Sequence, residues 1–150
     1  MENYRYTESG LDSVIIEGAE LVKDDAGERC TTIRNVNGLH KAIAHGIVTR
    51  QGSMTGRELR FLRTEIGMTQ AELGDMLHCT PVTVSRWERS EHPIDSNAEA
   101  LIRLYAAAEL GLEKALNVRD TAGWCVASAA VPPIVIDGSD PSHYRLKEAA

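Results

Sequence analysis

Apolar positions follow two rhythms along the chain. Through the middle they recur every third or fourth residue, and near both ends they come in short runs bounded by turn-forming residues. The first rhythm is that of a helix burying one face, the second that of a short strand. Asp12-Ser-Val-Ile-Ile-Glu17 is a β-rich run ended by Gly18. Residues 20–23 and 29–33 flank Asp24-Asp-Ala-Gly27, which reads as a hairpin because Gly accepts the positive φ such a turn needs. Asn37-Gly38 is expected to break the sheet. Leu39, Ile43 and Ile47 then predict an amphipathic helix to about Val48, followed by a linker over residues 49–53.

The middle of the chain is helical and closely punctuated. Thr55 with Glu58 three residues on has the capping-box pattern, Leu59, Leu62 and Ile66 form a stripe, and Gly67 closes the helix. Thr69 and Glu72 open a second helix with Leu73, Met76 and Leu77 apolar. After a break at His78-Cys79-Thr80, Pro81 takes a first-turn position, where its missing N–H costs nothing. Val84 and Trp87 give this third helix its buried side, and His92-Pro93 is expected to stop it. Asp95 or Ser96 caps a fourth helix through Leu101, Leu104 and Tyr105, and Gly111 splits off a last one over residues 112–116. Beyond it periodicity is lost. Pro132-Pro133, Asp137-Gly138 and Asp140-Pro141 mark turns around one apolar run, Ile134-Val-Ile136, so an extended tail is expected.

The fold expected is therefore α+β. A small sheet-plus-helix domain (1–52), suited to dimerisation or partner binding, precedes an all-α domain (53–117) and an irregular C-terminal tail (118–150). Aromatics make up 5% of the 150 residues, with one Phe, so the core must rest on Leu, Ile, Val and Ala. A net charge of −6 excludes a generally basic coat for nucleic acid but leaves room for a local basic face. Cys30, Cys79 and Cys125 lie far apart, against a disulfide framework or a four-cysteine zinc site. His40 and His45 point about 140° apart on a helix and do not form a ligand pair. No apolar run approaches the roughly 20 residues of a membrane span, and residues 1–10 lack an apolar signal core. The expectation is a soluble, cytoplasmic protein without membrane association, metal or cofactor. No nucleophile–base pair, phosphate-cradling loop or carboxylate pair stands at a catalytic spacing, so no enzyme is expected.

Residues 69–89 meet the physical demands of a helix-turn-helix. Gly74 is small where two helices must approach, and Leu73, Leu77, Val84 and Trp87 are apolar on the facing sides. Thr80, Pro81, Val82, Thr83, Ser85 and Arg86 stand where a second helix would enter a major groove. The segment GMTQAELGDMLHCTPVTVSRWERSEHP resembles the phage repressor/Cro (XRE) family, over about residues 55–110. That resemblance implies a lambda-repressor-like domain in which Gln70 hydrogen-bonds a DNA phosphate and Arg86 reads guanine. It further implies that Val82 touches a thymine methyl, that Thr83 and Ser85 reach bases or phosphates, and that Arg89 faces the duplex, with Arg57 or Arg60 as further candidates. Thr80 and Ser90 sit at ends whose backbone N–H groups suit phosphate. Arg63 and Glu88 match a pair that forms an internal salt bridge in the family. The sequence departs from the pattern at two positions usually held by Gly, His78 and Ser90.

The hairpin, the stretch GERCTTIRNVNG and the downstream helix-turn-helix are also similar to the MqsA (YgiT-type) antitoxins. Their paired zinc cysteines are absent here. Together the resemblances imply a homodimeric repressor on double-stranded DNA carrying a palindromic operator, or the autoregulating antitoxin of a pair with a cognate toxin as partner. The alternative is an interaction adaptor that keeps the helix-turn-helix fold and docks a protein without specific DNA binding. Residues 55–105 carry six basic and eight acidic side chains, which gives that alternative its weight.

Overall fold

The computed structural model of the chain describes residues 2–11, 14–19, 21–23, 29–31, 33–50, 52–112, 117–124 and 133–147. They fall into two compact units, residues 1–46 with 132–150 and residues 47–131. Among the described residues no helix is long and apolar enough to cross a membrane.

The first unit is built on a four-stranded sheet of order β1-β2-β5-β6, with β1 at Glu2–Arg5, β2 at Val14–Ala19, β5 at Ile134–Asp137 and β6 at Arg145–Lys147. The outer pairs are antiparallel, while β2 and β5 run parallel, Val14 opposite Ile134 and Ile16 opposite Ile136. All four of those side chains are buried. A separate pair, β3 (Leu21–Lys23) and β4 (Arg29–Thr31), is antiparallel, as the hairpin reading expects. Its turn at 24–28 lies outside the described residues, as do residues 113–116 of the last expected helix, Cys125, and the side chains of Cys30 and Trp124.

Several expectations are corrected in this unit. Gly18 does not end β2: it lies within the strand at φ 73°, where the β1–β2 register shifts, so it serves a bulge. Asn37-Gly38 is not itself the break after the strands but already lies in the first turn of α1, Val36–Thr49. Asn35, at φ 55°, folds its carboxamide over that turn and accepts the Gly38 N–H at 3.2 Å. A side chain at position 38 would strike that carboxamide. Leu39 and Ile43 are fully buried, and the bare Gly46 faces Ile134 and Leu146, where an added Cβ would stand 3.0 and 3.1 Å away. Tyr6, buried, shares a 2.9 Å hydrogen bond with His40 Nε2. The irregular tail is also replaced: residues 118–124 form helix α6 (Val118–Trp124), and 134–147 supply two of the four strands.

The second unit contains α2 (Gly56–Glu65), α3 (Gln70–Leu77), α4 (Pro81–Glu88), α5 (Ser96–Glu109) and α6. Each of the first four begins at a side-chain cap. Thr55, Thr69, Thr80 and Asp95 accept the N–H of Glu58, Glu72, Thr83 and Ala98, and Thr55 with Glu58 completes a capping box. Their ends share one device as well. The N–H groups of Gly67, His78, Ser90 and Gly111 each bond three residues back, and the following N–H bonds five back, with all four residues at φ between 59° and 74°. This is the Schellman arrangement, in which a left-handed residue turns the chain off the helix. It ends α4 at Glu88, ahead of the expected stop at His92-Pro93.

Two of these four positions are not glycine, and a left-handed L-residue costs about 1–2 kcal/mol. His78→Gly and Ser90→Gly are each expected to raise stability by about 0.5–1 kcal/mol, less than the full strain because glycine also loosens the unfolded chain. Denaturant titration of both variants tests this. A loss of stability would show that the side chains contribute more than the strain they impose.

Leu59, Leu62, Leu73, Val84, Trp87, Ile102, Ala106 and Ala107 are buried in this unit, along with Phe61 and Met54. The apolar face of α5 is not the expected one. Leu101 is 45% exposed, and the buried side is carried by Ile102, Ala106 and Ala107 together with two charged residues, Glu99 and Arg103. Arg103 is fully buried and donates to the carbonyls of Arg50 and Gly52, with Glu99 3.8 Å away. Glu99 in turn accepts the Met54 N–H, and Arg50 pairs with the buried Glu58. Two arginines and two glutamates thus tie Arg50, Gly52 and Met54 to α2 and α5.

Candidate nucleic-acid interface

The turn between α3 and α4 depends on a close approach of backbone. A Cβ at Gly74 would lie 2.6 Å from the Cys79 carbonyl, so a larger residue there would push the turn away. A second such approach, not evident from the sequence pattern, is at Gly56. A Cβ there would meet the Trp87 and Glu88 carbonyls at 2.3 and 2.6 Å, where α2 starts beside the end of α4. Cys79 is half-buried in this turn, and burial pushes its thiol pKa up, away from a reactive thiolate.

With α4 set this way, its surface divides cleanly. Val84, Trp87 and Glu88 are buried, and Val82, Arg86 and Arg89 lie on the opposite face. Val82 is 55% exposed in the first turn of α4. Pro81 and Thr80 are exposed beside it, and Thr83 and Ser85 are half-buried at the margins. The Thr80 hydroxyl lies 3.1 Å from that of Thr83. Arg86 is exposed and makes no ion pair among the described residues. Arg89 is exposed and leans toward Glu91 at 3.3 Å.

Ser90 does not offer its backbone to phosphate. Its N–H is donated to the Trp87 carbonyl at 3.1 Å, and it stands at the C-terminal, electronegative end of α4.

Behind this surface lies a polar chain. Arg63 Nε and Nη2 donate to the two Glu88 oxygens at 2.7 and 3.0 Å, and its Nη1 donates to the Met68 carbonyl at 2.9 Å. Arg63 thereby ties α2 to α4 and to the residue before α3. Gln70 Nε2 donates to Glu88 Oε1 at 3.2 Å, which fixes the carboxamide at the start of α3. These groups border a hollow of about 250 Å³ lined by Arg60, Arg63, Gln70, Ser85, Glu88 and Arg89. Of the two α2 candidates to face the duplex, Arg57 and Arg60, it is Arg60 that lines this hollow beside α4, a proximity that its position in the sequence does not signal.

The surface charge differs from the sequence count. Arg63 is largely buried and Arg103 fully so, as are Glu58, Glu88 and Glu99. Arg57, Arg60, Arg86 and Arg89 are the exposed cations of residues 55–105. The acidic groups Glu72, Asp75, Glu91 and Asp95 are exposed as well. The cations at α4 are thus few and local.

No curated protein and no solved structure matches the chain. Residues 55–115 match a family model described as a helix-turn-helix domain, and the α3–turn–α4 geometry within them is that of a helix-turn-helix.

Proposed function

We propose that this protein is a sequence-specific DNA-binding transcriptional regulator acting as a repressor, with α4 as its recognition helix. The observation that carries the reading is the face of α4 turned away from its core. It presents Val82, Arg86 and Arg89 together, and Arg86 has no competing carboxylate among the described residues. Arg86 has the donor geometry to bind guanine O6 and N7 bidentately, and Val82 suits a thymine methyl. Gln70, held by Glu88, Thr80 at the cap of α4 and Ser85 within it serve backbone phosphates.

With so few exposed cations, one copy binds weakly. A homodimer on a palindromic operator, its half-sites about 34 Å apart, doubles the contacts. Repression follows from occupying a site that overlaps a promoter. In the antitoxin version the operator belongs to the protein's own gene and a toxin binds elsewhere on the chain. The role requires no catalysis.

The test is a fluorescence-anisotropy titration on DNA from upstream of the gene, at two salt concentrations, with scrambled competitor. Saturable binding that resists the competitor and weakens with salt is the expected result. Arg86→Ala is expected to cost about 1–3 kcal/mol of specific binding and to relax preference at one base pair. Equal binding of operator and scrambled duplex by the folded parent protein would overturn the reading in favour of an adaptor. Partner capture that survives Arg86→Ala and Gln70→Ala but is lost on deleting residues 1–50 would, in a protein without specific duplex binding, identify the adaptor; alongside specific binding it would support the antitoxin version.

A further inference from the structure

We infer that the hollow between α2, α3 and α4 is a seat for a single backbone phosphate of the duplex, and that Arg60 of α2 is the cation that closes over it. This rests on the DNA-binding reading above and adds to it a contact from a third helix. Three arginines and one carboxylate line the hollow. The carboxylate, Glu88, is taken up by the two-pronged contact with Arg63, so those two charges offset one another. Arg60 and Arg89 remain, giving the hollow a net positive character. Of the two, Arg89 is partly engaged, by Glu91 at 3.3 Å and by the Ser85 carbonyl at 3.4 Å. Arg60 is exposed, and no ion pair restrains its guanidinium among the described residues.

The neutral groups fit the same occupant. Gln70 spends one amide hydrogen on Glu88 and keeps a second donor, and the Ser85 hydroxyl adds another. Ser85 and Arg89 stand one turn apart on α4 and flank Arg86. A phosphate in the hollow would therefore sit beside the residue proposed to read the base. Two guanidiniums, an amide and a hydroxyl around a space of about 250 Å³ match a tetrahedral anion that carries one charge.

The test compares the parent protein with Arg60→Gln and Arg60→Lys, each checked for an unchanged thermal melt. Binding to operator and scrambled duplexes is followed from 50 to 200 mM salt. Loss of one phosphate contact lowers the log–log salt slope by about 0.9, equivalent to about eightfold weaker binding at 0.1 M salt. Arg60→Gln is expected to show that change equally on both duplexes, and Arg60→Lys to restore the slope.

An unchanged slope in Arg60→Gln, with the parent still binding its operator, would overturn this inference alone. A loss confined to the operator would make Arg60 a base contact and overturn it too. If calorimetry shows that inorganic phosphate binds the parent and not Arg60→Gln while the duplex slope is unchanged, the hollow belongs to a free anion and the proposal fails. Failure of the parent to bind any duplex would overturn the DNA reading and this inference together.

Discussion

Arg103→Met is expected to destabilise the second unit by about 3–5 kcal/mol, the usual consequence of removing one partner from a buried ion pair. Arg103 is fully buried, and methionine is an unbranched, flexible side chain that can follow its aliphatic stem, so much of the volume stays filled. What is lost is charge and donors. Glu99 is left 2% exposed with its cation gone, and the Arg50 and Gly52 carbonyls lose their partners. Adding Glu99→Gln should recover a large part of the loss, since the desolvated charge then disappears. Urea titration of the single and double variants measures both quantities. A loss below about 1 kcal/mol in Arg103→Met would mean that water already reaches the network.

Glu88→Ala follows at about 3 kcal/mol, the lower end of the same range because Arg63 retains 15% side-chain exposure. Glu88 is the common acceptor for Arg63 and Gln70, so its removal frees both. Replacing the pair together, Arg63→Met with Glu88→Leu, is expected to be far milder than either single change. A double-mutant cycle reads the coupling, and additive losses would show that the two groups do not depend on one another. Unlike the Arg103 change, this one should also loosen Gln70. DNA affinity is therefore expected to fall in the double variant even where stability is recovered.

Where local chemistry determines structure, the sequence is readable. The caps at Thr55 and Thr69 and the left-handed Gly67 each act within four residues and stand where the pattern places them. Asp95 is the one of the two candidates, Asp95 and Ser96, that caps, and Thr80, read as part of a break, caps as well. The Arg63–Glu88 pair came from family register and forms with good geometry. Arg60 illustrates the opposite case. Its nearness to Ser85 and Arg89 follows from how α2 crosses α4, which a helical repeat does not encode.

The face of α5 was misread for a different reason. Leu101 carried the hydrophobic signal, while two charged residues took part of the buried side, held there by backbone carbonyls and a linker N–H. In the C-terminal segment Ile134-Val-Ile136 reads as extended, but three residues do not say which strand they join. Its strand identity comes from pairing with Val14 and Ile16, more than a hundred positions earlier.

That long-range pairing has a consequence for how the chain is made. Synthesis runs from the N-terminus, so residues 47–131 leave the ribosome in full before Ile134 does. The helices of the helix-turn-helix unit can assemble from sequence already released, while β2 waits for its parallel neighbour. A product terminated before residue 133 would keep the helix-turn-helix but lack β5 and β6, leaving an edge of β2 open beside Val14 and Ile16. Such an edge is a template for pairing with other chains. Residues 134–147, translated after the helices, thus decide whether the helix-turn-helix unit is released with a completed sheet or with an open, aggregation-prone strand edge.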